Sequence, residues 1–62
     1  MTTVREVIAR IQADRWYLDR TSSSHRIFKH PTKQGTVTVP GHPNDDLHPK
    51  TERSILRQAG LV

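Results

Sequence analysis

Apolar residues return at Val4, Val7, Ile8 and Ile11, the i, i+3, i+4, i+7 spacing that lays one stripe along a helix. That spacing predicts an amphipathic helix from Thr3 to about Ala13, with Arg5 and Arg10 flanking the stripe in solvent. Thr3 and Glu6 stand at the Thr-x-x-Glu spacing of a capping box, which marks the helix start. The helical period then stops. RWYLDR, residues 15–20, mixes bulky and polar positions as a short strand does. The hydroxyl run at residues 21–24 reads as a turn, because short hydroxyl side chains compete for nearby backbone groups. SHRIFKH, residues 24–30, is a second strand, and PTKQG, residues 31–35, is the hairpin loop after it. TVTVP, residues 36–40, alternates with period two and is the clearest strand in the chain.

GHPNDDLH, residues 41–48, is a loop rich in breakers. PKTERSILRQAG then predicts a second helix, with Pro49 at its first position and Gly60 at its C-terminal cap. Ile55, Leu56 and Ala59 supply its inward stripe, and Leu47 anchors the chain just before it. The short connections make the three strands an antiparallel meander. Both helices must cover the same sheet face if either stripe is to be buried. The expected fold class is therefore α+β, in the order α-β-β-β-α, with a three-stranded antiparallel sheet and both helices on one face. The other face is left open.

Composition narrows what such a fold can do. A chain of 62 residues allows one domain, 1–62, and buries only about 60% of the surface its unfolded form exposes. A deep enclosed pocket is not expected at this size, so a shallow surface site is. The chain has no cysteine, which excludes disulfides and thiolate metal sites. It has no apolar run near the ~20 residues of a membrane span, and its N-terminus lacks the pattern of a secretory signal. A cytoplasmic location without membrane attachment is the resulting expectation.

The net charge of +4 is unevenly placed. Residues 1–35 hold seven Lys/Arg against three acidic residues, whereas residues 36–62 hold three of each. A basic face suits a polyanion such as nucleic acid.

Several short motifs then fall in a distinctive order: Ser24-His25, Lys29-His30-Pro31, Gly35, Val37-Thr38-Val39-Pro40, His42-Pro43, and Ser54-Ile55-Leu56-Arg57-Gln58-Ala59-Gly60-Leu61. In that order and spacing, residues 23–61 resemble the core of the HicA family of bacterial toxins, and the opening helix followed by Trp16 resembles that family's start. Two positions depart from the pattern. Ser23 stands where the family commonly has Gly, and Arg15 stands where Gly is frequent before the Trp. If the backbone at Ser23 takes a positive φ, serine is the costlier residue there.

The resemblance implies a double-stranded-RNA-binding-like fold and an endoribonuclease that cleaves mRNA and blocks translation. It also implies a HicB-type antitoxin that covers the active site, and it places the catalytic histidine at His25.

Histidine suits this chemistry. RNA cleavage without a metal needs a base for the ribose 2′-OH and an acid for the leaving 5′-oxygen, and an imidazole exchanges protons near neutrality. Strand alternation puts His25, Ile27 and Lys29 on one side, with Arg26, Phe28 and His30 on the other. If Phe28 is core, His25 and Lys29 share the open face. There Lys29 can hold a phosphate or stabilise its developing charge. Ser24, Arg26, Lys33 in the hairpin loop and Lys50 at the second helix start are the further candidate RNA contacts. Trp16 and Tyr17 are candidates for base stacking, although so small a domain needs at least one of them in its core.

The remaining chemistry is thin. No two of the four histidines have zinc-site spacing, and Asp45-Asp46 alone make a poor magnesium shell. No metal and no cofactor are expected, and the toxin alone is expected to be a monomer. The rival readings are an idle RNA-binding module of the same fold and a surface whose main role is to bind the antitoxin.

Overall fold

A computed structural model describes residues 2–62; the first residue of the expected domain lies outside the described residues. The elements are α1 (Val4–Ala13), β1 (Tyr17–Ser22), β2 (His25–Lys29), β3 (Val37–Val39) and α2 (Pro49–Gln58). The strands form one antiparallel sheet in the order β1-β2-β3. Element order and sheet type are as the sequence predicts.

The core lies between the helices and one sheet face. It joins Val4, Val7 and Ile11 of α1, Trp16, Phe28 of β2, Val37 and Val39 of β3, Leu47, and Ile55, Leu56 and Ala59 at α2. Both helical stripes and the Leu47 anchor are thus where the apolar pattern puts them. Thr3 caps α1, its hydroxyl oxygen accepting the Glu6 N–H at 3.3 Å. The breaker-rich loop packs over that same end. Its Asp45 and Pro43 carbonyls accept the Val4 and Arg5 N–H groups, each at 2.9 Å, so amides that a helix start leaves unpaired are satisfied by the chain itself.

Both helices stop in the same way. After α1, the Arg15 N–H donates to Gln12 and the Trp16 N–H to Ile11. After α2, Gly60 donates to Arg57 and Leu61 to Leu56. These are paired Schellman bonds, and they need a left-handed residue just past the cap. Gly60 supplies it at φ 74° and Arg15 at φ 77°. This corrects the first strand: Arg15 and Trp16 belong to the helix stop, and β1 begins at Tyr17.

At its other end β1 runs further than expected, taking in Thr21 and Ser22 through pairs with Arg26 and His25. The turn shrinks to Ser23-Ser24, because ladder pairing outcompetes the local bonds of the hydroxyl run. Ser23 has φ 58° while Ser24 is not left-handed, the sign pattern of a type II′ hairpin turn, whose first central position favours glycine. Both positions where the chain departs from the glycines of the resembled pattern are therefore left-handed. A bulge interrupts β1 between Leu18 and Arg20.

Candidate active site

Phe28 is buried, which settles the faces of β2. The bulge lies in β1, and β2 pairs without interruption from His25 to Lys29. His25, Ile27 and Lys29 therefore share the helix-free face. His25 and Lys29 are exposed, and Ile27 between them is half-buried. Directly paired residues of antiparallel strands share a face, so Ser22 joins His25, Arg20 and Thr38 flank Ile27, and Tyr17 lies opposite Lys29. At ~3.3 Å per residue, His25 and Lys29 stand roughly 13 Å apart along the strand. One phosphate cannot touch both, so the two side chains serve different points along a bound strand.

Ser24 sits in the turn immediately before His25. The other expected contacts lie elsewhere. Arg26 is on the helix side of the sheet and half-buried, its guanidinium donating to the Gly41 carbonyl at 2.8 Å. Lys33 pairs with Asp14 at 2.6 Å and donates to the Ala59 carbonyl at 3.0 Å. There a cation also complements the C-terminal end of α2. Lys50 lies in the first turn of α2, in the helix layer. The structure thus gathers Ser24, His25 and Lys29 around the open face, and does not bring Arg26, Lys33 or Lys50 to it.

The four histidines separate into distinct jobs. His30, His42 and His48 each precede a proline, and His25 does not. Proline has no N–H, so the first amide such a histidine can reach is two residues on. His30 Nδ1 accepts the Thr32 N–H at 3.1 Å and the Lys33 N–H at 3.0 Å, and its Nε2 meets the Asp14 carbonyl. With Nδ1 accepting, Nε2 must be the donor. The ring also packs edge-on against Trp16, with centroids 5.1 Å apart. His48 caps α2 in the same manner, Nδ1 accepting the Lys50 N–H at 3.1 Å. The third His-Pro is held differently: the Asp45 carboxylate accepts the backbone N–H of His42 at 3.0 Å.

Sequence reasoning missed this His-Pro signal, which assigns two imidazoles to backbone capping. His25 is the one histidine in the sheet, and no such contact occupies its ring among the described residues.

One pKa is displaced. The Lys33 ammonium, hydrogen-bonded to Asp14, holds that carboxyl below its ordinary value, and its positive charge adds to the effect. This hub ties the α1–β1 turn to the hairpin loop and lies apart from the open face. Among the described residues, no group of three or more acidic or histidine side chains is placed to hold a metal ion. A shallow depression lined by Pro49, Glu52, Arg53, Leu56 and Val62 belongs to the helix layer. Among the described residues, no helix is long and apolar enough to cross a membrane.

Fold and site together define a small α+β domain whose two helices cover one sheet face and leave the other, basic and histidine-bearing, uncovered. Residues 4–61 match the family model described as HicA toxin of bacterial toxin-antitoxin, and the chain belongs to that family. It is thus a toxin of a toxin–antitoxin system, in a family whose members are generally RNA-cleaving, with an antitoxin partner and an RNA substrate implied. No curated protein matches the chain.

Proposed function

We propose that the protein is an endoribonuclease toxin that cleaves mRNA without a metal, using His25 for proton transfer. The observation that carries this reading is the placement of His25. It is exposed on the helix-free sheet face, in one row with Lys29, while His30 and His48 spend their rings on backbone amides. In the reaction, His25 takes the proton of a ribose 2′-OH. The 2′-oxygen attacks the adjacent phosphorus, the bond from phosphorus to the 5′-oxygen breaks, and the departing oxygen takes a proton from water. The products are a 2′,3′-cyclic phosphate and a free 5′-hydroxyl. Ser24 is next to the reacting phosphate and Lys29 holds the strand further along.

The antitoxin is of the HicB type and binds over this open face, and the free toxin is a monomer in the cytoplasm. Induced expression of the wild type and of His25→Ala, with growth and mRNA integrity followed together, tests the assignment. Arrest and RNA breakdown in the wild type alone are expected. Intact RNA with both proteins overturns it and leaves an RNA-binding module. Equal breakdown with both removes His25 from the chemistry.

A further inference from the structure

The bulge in β1 decides which side chain lies beside Lys29. From Ser22↔His25 to Arg20↔Ile27 the pairing is regular, and continued unbroken it would set Leu18 opposite Lys29. Tyr17 would then point to the helix side. The extra residue between Leu18 and Arg20 shifts the register, so that Tyr17 pairs with Lys29 and Leu18 with Phe28. Re-aiming a side chain is a recurrent use of bulges. Here it places an aromatic ring, 49% exposed, on the same face as His25. The bulge residue Asp19 lies 3.9 Å from the Lys29 ammonium and 3.5 Å from Arg20. Two cations thus share one carboxylate, leaving positive charge next to the ring.

Resting on the endoribonuclease reading above, we infer that Tyr17 and Lys29 form a second RNA subsite, where a base stacks on the Tyr17 ring and a phosphate meets Lys29. An exposed aromatic beside a cation is the arrangement by which proteins hold single-stranded nucleic acid without reading its sequence. A duplex offers no free base face to such a ring, because its bases are stacked on one another. The roughly 13 Å from His25 to Lys29 exceeds what a dinucleotide cut at His25 fills. The subsite therefore selects for a longer, extended, unpaired strand.

Cleavage of an RNA dinucleotide and of an unstructured RNA octanucleotide by wild type, Tyr17→Thr and Tyr17→Phe tests this. Threonine suits a strand but has no ring, and Tyr17 is not a core residue, so the variant folds. Tyr17→Thr is expected to raise KM for the octanucleotide about 5- to 100-fold, with little change in kcat and the loss confined to the longer substrate. Tyr17→Phe, which keeps the ring, restores it. The same loss of octanucleotide binding is expected when Tyr17→Thr is placed on a His25→Ala background. Equal KM for wild type and Tyr17→Thr overturns the subsite while leaving His25 as the reacting group. An effect of Tyr17→Thr on antitoxin binding alone also overturns it. If the wild type cleaves neither RNA, the endoribonuclease reading fails, and octanucleotide binding still decides the subsite.

Discussion

The Lys33 ammonium lies 2.6 Å from the Asp14 carboxylate, nineteen residues earlier in the chain. The pair joins the end of α1 to the loop between β2 and β3, and Lys33 reaches on to the carbonyl of Ala59, where α2 stops. The same carbonyl accepts the Trp16 indole N–H at 3.3 Å. Three chain segments therefore meet at one polar cluster along the rim of the core.

This cluster sets an acid limit on stability. Because the folded protein holds the Asp14 carboxyl below its ordinary value of 3.8, its contribution is complete above 3.8. That contribution is lost as pH falls through the lower folded value. Asp14→Asn should reduce stability at neutral pH and flatten its decline on the acid side. Urea unfolding of both proteins at pH 7 and in mild acid checks this; parallel curves would exclude the carboxylate as the cause.

Relief of backbone strain should stabilise the stop of α1. A left-handed residue with a side chain costs about 1 kcal/mol more than glycine, and Arg15 occupies such a position. Arg15→Gly should raise stability by about 1 kcal/mol, or roughly 4–8 °C in Tm for a domain of this size. Gly60→Ala, at the equivalent position after α2, should lower it by a similar amount. Thermal unfolding of the two variants reads both signs.

Ser23→Gly should act like Arg15→Gly but on the β1–β2 hairpin. A gain of about 1 kcal/mol is expected, together with slower amide exchange at Ser22 and His25, the pair that closes the turn. Exchange measured residue by residue separates this local tightening from a uniform rise in stability.

The histidines at and just beyond the two ends of β2 should respond very differently to removal. His30→Ala leaves two backbone N–H groups and the Asp14 carbonyl without partners. Its expected cost is about 2–4 kcal/mol, since orphaned polar groups near the core cost about 1–3 kcal/mol each and water partly replaces the partners here. His25→Ala removes an exposed ring and should stay within about 0.5 kcal/mol. Comparable losses in the two would mean that the His25 ring also supports the fold.

Much of this arrangement was legible in the residues. Val4, Val7 and Ile11 gave α1 its buried stripe, and the alternation around Phe28 set His25 and Lys29 on the open face. What escaped depends on groups distant in sequence or on an added residue. Lys33 looks like a free loop cation until Asp14 and the Ala59 carbonyl fold against it. Arg26 looks like an exposed strand cation until the Gly41 carbonyl meets it. The β1 bulge has no marker in RWYLDR, because each residue there is compatible with either face. The His-Pro pairs were visible but unread, although proline's missing N–H fixes which amide the ring must seek.

That bulge gives the length of β1 a meaning separate from its composition. Deleting Asp19, the one extra residue, would leave Leu18 opposite Phe28 and Tyr17 opposite Lys29 in an unbroken ladder, and would remove the carboxylate that Lys29 and Arg20 share. Along this stretch a lost residue is absorbed by the bulge: the strand shortens, the ring keeps its place beside Lys29, and only the charge around it changes.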